Sequence, residues 1–290
     1  MAWFRPWTNA TTRDSVTPMT GQIPNPKSLI PACANALGAA LLAPPCAVCG
    51  GVLDRPTEGC VCSSCWRSVL PITPPVCDRC GDPLARQTQS LIPSPESQIP
   101  ESLTNVRSMC AVCCTSYSAV SRARAIGEYD GVLRDIIHAL KYAGRLSLAK
   151  PLAALLRLHG SEVLADVDCL VPVPLHWRRE RQRGFNQARE IARHLGPPVV
   201  DALQRCRATR AQVELAADRR RANVAGAFRR RNGWFRNPAI RGKNVLLVDD
   251  VSTTGATLEA CALVLKESRA AAVFALTAAR VVTRRRQGQL

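Results

Sequence analysis

The residues best suited to chemistry follow a short apolar run near the C-terminal end of the chain. After residues 245–248 come two aspartates, Asp249 and Asp250, and then small and hydroxyl-bearing residues. Carboxylates bind sugar hydroxyls or magnesium, whereas backbone N–H and hydroxyl donors at the start of a helix bind phosphate. The pattern predicts a ribose 5-phosphate site, with the aspartates on the sugar or a magnesium ion and the phosphate on Ser252, Thr253, Thr254, Gly255, Ala256 and Thr257.

A buried parallel strand and a helix are predicted to position this site. Residues 245–248 form a continuous apolar run, typical of a strand buried on both faces, and residues 258–268 have apolar side chains at helical spacing. Open α/β sheets bind ligands at the carboxyl ends of such strands. The loop has neither the lysine of a Walker loop nor the glycines of a dinucleotide fold. An ordinary turn with helix-capping threonines is the alternative.

The run V-D-D-V-S-T-T-G-A-T resembles the phosphoribosyl-pyrophosphate (PRPP) motif of type I phosphoribosyltransferases. Other pieces resemble the ComF family of competence-associated phosphoribosyltransferase-like proteins, namely A-L-K-Y, V-P-V-P-L, R-G-F-N-Q and R-x-T-x-x-Q, in this order along the chain. The resemblance implies an α/β fold with a mainly parallel sheet flanked by helices, and an N-terminal double zinc ribbon. It also implies displacement of pyrophosphate from PRPP, with magnesium, by a nitrogen nucleophile of unknown identity.

Residues 168–174 are predicted to be a strand that runs into a proline-stiffened loop. By the same resemblance, a loop at this place holds the pyrophosphate, and residues 203–228 form the mobile catalytic loop. Arginine forks suit a multiply charged leaving group. The substrate contacts implied are Lys141, Arg181, Arg183, Gly184, Asn186, Gln187, Arg207, Gln212, Arg219 and Asn223.

Three of these assignments have alternatives. Lys141 ends a predicted helix at residues 131–142, where a lysine is commonly solvated. Asn186 and Gln187 are equally suited to capping a helix at residues 187–195. The basic stretch of residues 203–228 is also compatible with a solvated surface.

Four C-x-x-C pairs predict metal binding at the N-terminal side. Two such pairs complete a tetrahedral four-thiolate zinc site, and sequential pairing gives two structural zinc ions, although interleaved pairing is open. Cys60 and Cys114 adjoin ligands and are possible substitutes for them. The predicted ligands are Cys46, Cys49, Cys62, Cys65, Cys77, Cys80, Cys110 and Cys113.

The net charge of +17 over 290 residues is concentrated in the C-terminal part. Residues 1–120 hold 8 Lys/Arg and 7 Asp/Glu, whereas residues 121–290 hold 31 and 15. Such basicity indicates a polyanionic ligand, nucleic acid, or both. A second hypothesis is therefore a factor that binds single-stranded DNA together with a DNA-uptake machinery, although few aromatic residues are available for base stacking. A nucleobase-salvage transferase is a third.

The chain divides into four predicted regions. We expect a disordered segment at residues 1–28, a zinc-ribbon module at 29–118 with a leading helix and a Ser/Pro-rich insert, the transferase domain at 119–282 and a basic tail at 283–290. We find no apolar run long enough to span a membrane. Reduced C-x-x-C pairs favour a cytoplasmic protein.

Overall fold

The computed structural model describes residues 44–84, 108–207, 226–231 and 240–282, together with Gly38 and Val224. Most of the predicted leading helix, the whole of the Ser/Pro-rich insert and both terminal segments lie outside these residues. The strands described are β1 (Arg122–Glu128), β2 (Cys169–Pro172), β3 (Leu203–Arg205), β4 (Phe228–Arg230), β5 (Asn244–Ser252) and β6 (Ala272–Arg280).

Four of these strands form a parallel sheet in the order β1-β6-β5-β2. Residues 245–250 of β5 are buried, as expected for an apolar strand between two parallel neighbours. Pairing with β6 continues to Ser252, which lies opposite Arg280. The strand is therefore longer than its apolar run, and both aspartates lie within it and not in the loop that follows.

The helices are α1 (Ser63–Arg67), α2 (Ala111–Thr115), α3 (Gly131–Tyr142), α4 (Ala149–His159), α5 (Ser161–Leu164), α6 (Trp177–Arg183), α7 (Gln187–Ala192) and α8 (Ala256–Glu267). A 3₁₀ turn at Leu146–Leu148 precedes α4. Helices α3, α4 and α7 share one hydrophobic core with one face of the sheet, whereas α8 packs in a second core on the opposite face. The helix predicted at residues 187–195 is shorter, and the one predicted from residue 258 begins two residues earlier.

Strands β3 and β4 pair with each other and not with the main sheet. They stand at the two ends of the stretch predicted to be the mobile catalytic loop. Gln212, Arg219 and Asn223, which belong to that prediction, lie outside the described residues.

The zinc-ribbon module contains the same knuckle twice. In each copy the first C-x-x-C pair is followed by a glycine with positive φ, Gly50 at 72° and Gly81 at 73°, a conformation that glycine adopts without strain. The second pair of each copy begins a short helix, with Cys62 and Cys110 at the N-cap and identical backbone angles of −70° and 157°.

The link between the two ribbons extends the edge of the sheet. Ile72 N–H donates to the Ile126 carbonyl at 2.8 Å, and Pro71 bridges Gly127 in antiparallel fashion. A side chain at Gly127 would clash with the Leu70 carbonyl oxygen, so only glycine allows this approach. The ribbons are thus built onto β1. Among the described helices, none is long and apolar enough to cross a membrane.

Candidate functional site

Asp249 and Asp250 occupy adjacent positions on β5 and therefore face opposite sides of the sheet. Asp250 shares its side with Leu246 and Val248, which pack in the core of α3. Asp249 shares its side with Val245 and Leu247, which pack in the core of α8. The sequence prediction treated the two carboxylates as one pair, but the strand gives them different surroundings.

Lys141 forms an ion pair with Asp250. Its Nζ lies 2.9 Å from Asp250 Oδ1, and the two side chains are 13% and 6% exposed. Burial alone would lower the pKa of Lys141, but the charge of Asp250 and its hydrogen bond outweigh burial, and the pKa is raised. The alternative of a solvated lysine at a helix C-terminus is therefore wrong, because α3 ends against the carboxylate.

The Asp249 carboxyl is buried and has a perturbed pKa. Burial and the neighbouring charge of Asp250 raise the pKa of Asp249 to about 8, against the lowering effects of the Asp250 N–H, Lys141 and Arg205. Its Oδ1 accepts the Asp250 N–H at 2.9 Å. At neutral pH this group binds a proton that a ligand cation would displace.

Three buried oxygen atoms have no hydrogen-bond partner in the described part of the chain, and all lie within five residues. They are Asp250 Oδ2, Ser252 Oγ and Thr254 Oγ1. Buried polar atoms are nearly always hydrogen-bonded, so such a group requires an explanation. A ligand with hydroxyl and phosphate groups, or a cation at the carboxylate, would satisfy these atoms.

Helix α8 begins directly beside these oxygens. Gly255 is its N-cap residue with φ at 76° and has no side chain with which to cap this end. The helix N-terminus adds the partial positive charge that favours phosphate.

The predicted pyrophosphate loop leads from β2 into α6 and α7. Gly184 ends α6 in the left-handed conformation, with φ at 81°. Arg183 Nη1 donates to Gln187 Oε1 at 3.1 Å, and its guanidinium lies over the Tyr142 ring at 5.2 Å. Arg183 therefore lies beside the C-terminal end of α3.

The Asn186 side chain forms hydrogen bonds within the protein. Its Oδ1 accepts from Ala188 N at 3.0 Å and Arg189 N at 3.4 Å, and its Nδ2 donates to the Val173 carbonyl. Of the two roles predicted for Asn186 from the sequence, the structure shows the helix cap.

Arg205 was missed by the sequence interpretation. It ends β3, its guanidinium lies 5.2 Å from the centre of the Phe228 ring, and burial lowers its pKa. It is near enough to Asp249 for each charge to shift the pKa of the other. Only the β3–β4 pairing reveals this proximity. Arg207, two residues later, is exposed.

An exposed aromatic residue lies among arginines on α6. Trp177 is 56% exposed, and the guanidinium carbons of Arg178 and Arg181 lie 5.2 and 5.9 Å from its ring centre. Arg181 thus contacts Trp177, whereas Arg183 contacts Tyr142. The sequence argument from few aromatic residues did not foresee that these would be exposed and stacked by arginine.

The eight predicted zinc ligands form two groups, in the sequential pairing. All sulfur atoms of a group lie within 4.8 Å of one another, and the groups are Cys46, Cys49, Cys62 and Cys65, and Cys77, Cys80, Cys110 and Cys113.

The sulfur positions fit a tetrahedral ion. Cys46 to Cys65, Cys49 to Cys62 and Cys80 to Cys110 measure 3.9, 3.8 and 3.7 Å between Sγ atoms. A tetrahedron with Zn–S bonds of about 2.3 Å requires edges of about 3.8 Å. The donor set and its spacing therefore fit structural zinc.

Backbone N–H groups of each knuckle favour the thiolate form of the first cysteine of each site. Burial would raise the pKa of Cys46, but N–H groups of Cys49, Cys62 and Val48 lower it to about 6. The pKa of Cys77 is lowered to about 7 in the same way. Cys60 and Cys114 lie outside both groups, so neither substitutes for its neighbour.

Comparisons with known proteins match both parts of the chain. Residues 37–99 match the family described as double zinc ribbon domain, and residues 181–289 match the phosphoribosyl transferase domain. The first match ends before Cys110 and Cys113, which complete the second sulfur group, and the second begins after β2. In the structure, the second sulfur group and the transferase sheet therefore include residues outside the matched ranges.

The chain is similar throughout most of its length to three proteins with related names. It is 31% identical to the DNA utilization protein YhgH of Escherichia coli K12 over 73% of this chain and 87% of the relative. It is 28% identical to competence protein F of Haemophilus influenzae, over 77% and 90% of the two chains. It is 27% identical to competence protein ComFC of Bacillus subtilis, over 78% and 85%. With this degree of similarity, and with a double zinc ribbon built onto a transferase sheet, the chain belongs to the ComF family of competence-associated phosphoribosyltransferase-like proteins.

Proposed function

We propose that the protein binds PRPP with magnesium at the carboxyl end of β5 and transfers its phosphoribosyl group to a nitrogen nucleophile. The observation on which this rests is the group of three buried, unpartnered oxygens at Asp250, Ser252 and Thr254. A phosphorylated ribose would donate a hydroxyl to the carboxylate oxygen and would accept from the two side-chain hydroxyls with its phosphate. The transferase fold supports the proposal by resemblance.

Each part of PRPP has matching residues. The loop Ser252–Thr257 and the N-terminus of α8 bind the 5-phosphate, and Asp250 Oδ2 accepts a ribose hydroxyl. Asp250, on the same side of β5 as Ser252, would hold magnesium, which supplies positive charge to the leaving pyrophosphate. Arg183 lies on the β2 side, where it contributes guanidinium donors to the same leaving group.

The reaction forms a bond from nitrogen to the anomeric carbon and breaks the bond from that carbon to the pyrophosphate oxygen. Pyrophosphate leaves with the electron pair, and the N–H proton of the nucleophile is released to the medium. The protein stabilises the charge that develops on pyrophosphate. Lys141 holds Asp250 Oδ1, so that the free Oδ2 points at the substrate in one orientation.

A pyrophosphate-release assay over candidate nucleobases, with and without single-stranded DNA, tests this proposal. We expect magnesium-dependent release with at least one acceptor. Ser252→Ala and Thr254→Val remove one hydroxyl each from the phosphate loop and should raise the KM for PRPP about tenfold. Ser68→Ala, at an exposed serine of the first ribbon, is the control. Equal KM values in all four proteins would refute the assignment of the loop.

The second candidate function is binding of single-stranded DNA, and the exposed Trp177 with its arginines favours it. Bases stack on aromatic rings regardless of sequence, and arginines neutralise the backbone. The similar protein of Escherichia coli is named for DNA utilization. A reduced cytoplasm, which maintains four-thiolate zinc sites, is the compartment that suits both functions.

A fluorescence titration with a labelled oligonucleotide at several salt concentrations tests the second candidate. Trp177→Ala should weaken binding about tenfold, whereas Leu158→Ala, at another exposed apolar residue, should leave it unchanged. If the wild type binds no single strand at low salt, this function is excluded and the basic charge serves anionic substrates alone.

A further inference from the structure

The helix that carries two of the predicted pyrophosphate contacts is not held by a hydrophobic core. Helix α6 has seven residues, and none of them is buried. Isolated helices of this length are unstable in water, so α6 depends on the contacts at its ends. Because Arg181 and Arg183 belong to this helix, the contacts at its ends determine where their guanidinium groups lie.

The C-terminal end of the loop that contains α6 is joined to the strand from which the loop starts. Asn186 Nδ2 donates to the Val173 carbonyl at 3.1 Å, and the Val173 N–H donates to the Val248 carbonyl of β5 at 2.9 Å. Between Val173 and Asn186, His176 is the only buried residue. The position of the N-terminal end of α6 therefore depends on His176.

The imidazole ring of His176 caps α6. The residue is 7% exposed, and its Nδ1 accepts the Arg178 N–H at 3.4 Å. Its backbone carbonyl accepts the N–H groups of Arg179 and Glu180 at 2.9 and 3.0 Å. A ring nitrogen accepts a hydrogen bond only when it carries no proton, so this cap requires the neutral ring with its hydrogen on Nε2.

The backbone of His176 also joins the loop to β3. It bridges Arg205, the last residue of β3, in parallel fashion. Arg205 is in turn near enough to Asp249 for each charge to shift the pKa of the other. Since β3 leads into the predicted mobile catalytic loop, His176 lies at the junction between that loop and the predicted pyrophosphate loop.

The charges that act on the His176 ring are positive. Burial lowers the pKa of His176, and the charges of Arg178, Arg205 and Arg179 lower it further. These arginines come from both elements that the residue joins, α6 and β3, and no carboxylate of the described residues offsets them. A proton on the ring would add a fourth positive charge and would occupy the nitrogen that caps α6. It would also place a cation at a helix N-terminus, where cations are unfavourable.

We propose that His176 is a positioning residue of the phosphoribosyl site. In its neutral form it holds the N-terminal end of α6 against β3, so that the arginines of the loop are placed to bind the pyrophosphate group of PRPP. Protonation breaks the cap and weakens the binding of that group. The proposal rests on the proposed transferase function and adds a residue that the sequence interpretation did not include.

Calorimetric titrations with PRPP and with ribose 5-phosphate, both with magnesium, test the proposal on the full chain with zinc bound. Measurements at several values between about pH 8 and about pH 5 cover the titration of a histidine. Ribose 5-phosphate has no pyrophosphate group, so it reports the phosphate loop and the integrity of the fold. Zinc content is measured at each pH.

Three variants separate the cap from the charge. His176→Asn keeps a side-chain acceptor that does not titrate, and asparagine is among the best helix N-caps. His176→Leu keeps an apolar side chain but has no acceptor. His194→Asn changes an exposed histidine after α7 in the same way and is the control.

At pH 8 we expect His176→Asn to retain the PRPP affinity of the wild type and His176→Leu to bind PRPP about fivefold more weakly, the typical effect of losing a helix cap. Toward about pH 5, the wild type and His194→Asn should lose at least about twofold in PRPP affinity relative to His176→Asn, because a growing fraction of His176 is protonated. Ribose 5-phosphate should bind all four proteins equally at each pH.

The state of the ring is measured independently by NMR of the imidazole nitrogens. The chain has four histidines, and the signals of His176 are those missing from His176→Asn. At pH 8 the proton should be on Nε2, and His176 should titrate at lower pH than His194. A proton on Nδ1, or titration at the same pH as His194, would overturn the cap.

Three calorimetric results would contradict the positioning role while PRPP still binds. They are the same pH dependence in the wild type and His176→Asn, equal weakening of PRPP and ribose 5-phosphate in His176→Leu, and tighter PRPP binding by the wild type than by His176→Asn at low pH. The last result would show that the protonated ring contacts pyrophosphate directly. If the wild type binds PRPP at no pH, the proposed function itself is refuted, and the role of His176 in that site with it.

Discussion

Isosteric substitutions at the two neighbouring aspartates should change stability in opposite directions. In Asp249→Asn the buried carboxyl is replaced by a group that does not ionise. The pKa of Asp249 is raised from 3.8 to about 8, so the folded protein holds a proton at pH 7 that the unfolded chain has released. Each pKa unit corresponds to about 1.4 kcal/mol, and about three units separate the ordinary pKa of an aspartate from neutral pH. The variant should therefore be more stable by up to ~4 kcal/mol.

The raised pKa of Asp249 also determines how the stability of the protein depends on pH. Because the folded-state pKa is raised, the contribution of Asp249 to wild-type stability is fully present below its unfolded pKa and is lost as the pH rises through about 8. The Asp249→Asn variant should not lose stability in this way as the pH rises. The stability difference between variant and wild type should consequently grow from acidic to mildly alkaline pH and then level off.

Asp250→Asn should instead destabilise the protein. It leaves the Lys141 ammonium, which is 13% exposed, without its partner at 2.9 Å. Removing one member of a buried pair typically costs about 3–5 kcal/mol. The two substitutions change the same atoms at adjacent positions, so each is the control for the other.

Urea unfolding followed by circular dichroism, with zinc present and at about pH 5, 7 and 9, measures both effects. The reasoning predicts a higher midpoint for Asp249→Asn and a lower one for Asp250→Asn at neutral pH. Destabilisation of similar size in both variants would show that the strand does not give the carboxyls different surroundings. Parallel pH profiles of Asp249→Asn and wild type would refute the raised pKa.

Two further predictions concern the zinc ribbon and the basic surface. Purified, reduced protein should contain about two zinc ions. Cys113→Ser should lower the zinc content to about one, whereas Cys114→Ser, at the adjacent exposed cysteine outside the site, should leave it unchanged. Loss of zinc in both variants or in neither would contradict the ligand assignment. If single-stranded DNA binds, replacing the three exposed arginines of residues 229–231 by alanine should make the DNA affinity less dependent on salt. The decrease should be roughly 0.7 released counterions for each phosphate that is no longer neutralised. An unchanged salt dependence would exclude these arginines from the DNA-binding surface.

The sequence predicted the elements whose patterns are local. The apolar run before Asp249 indicated a buried strand, and apolar residues at helical spacing indicated α3 with its observed bounds. The C-x-x-C pairs indicated two thiolate sites because each knuckle is encoded within four residues. Such signals need no knowledge of distant contacts.

The remaining features depend on contacts between distant parts of the chain. Lys141 and Asp250 are joined only when α3 packs on β5, so the lysine could not be distinguished from a solvated one. The segment before β1 is joined to α8 because the Ser118 hydroxyl donates to Glu259, 141 positions away. Strand β5 extends beyond its apolar run because β6 supplies backbone partners as far as Ser252. Sequence periodicity does not contain these pairings.

Calorimetric titration with PRPP tests the central claim that the carboxyl end of β5 is a phosphoribosyl site. The account predicts binding to the wild type that requires magnesium and that weakens at least tenfold in the double variant Asp249→Asn/Asp250→Asn, with zinc content and circular dichroism unchanged. Equal affinity for PRPP in the wild type and in a folded double variant would contradict it.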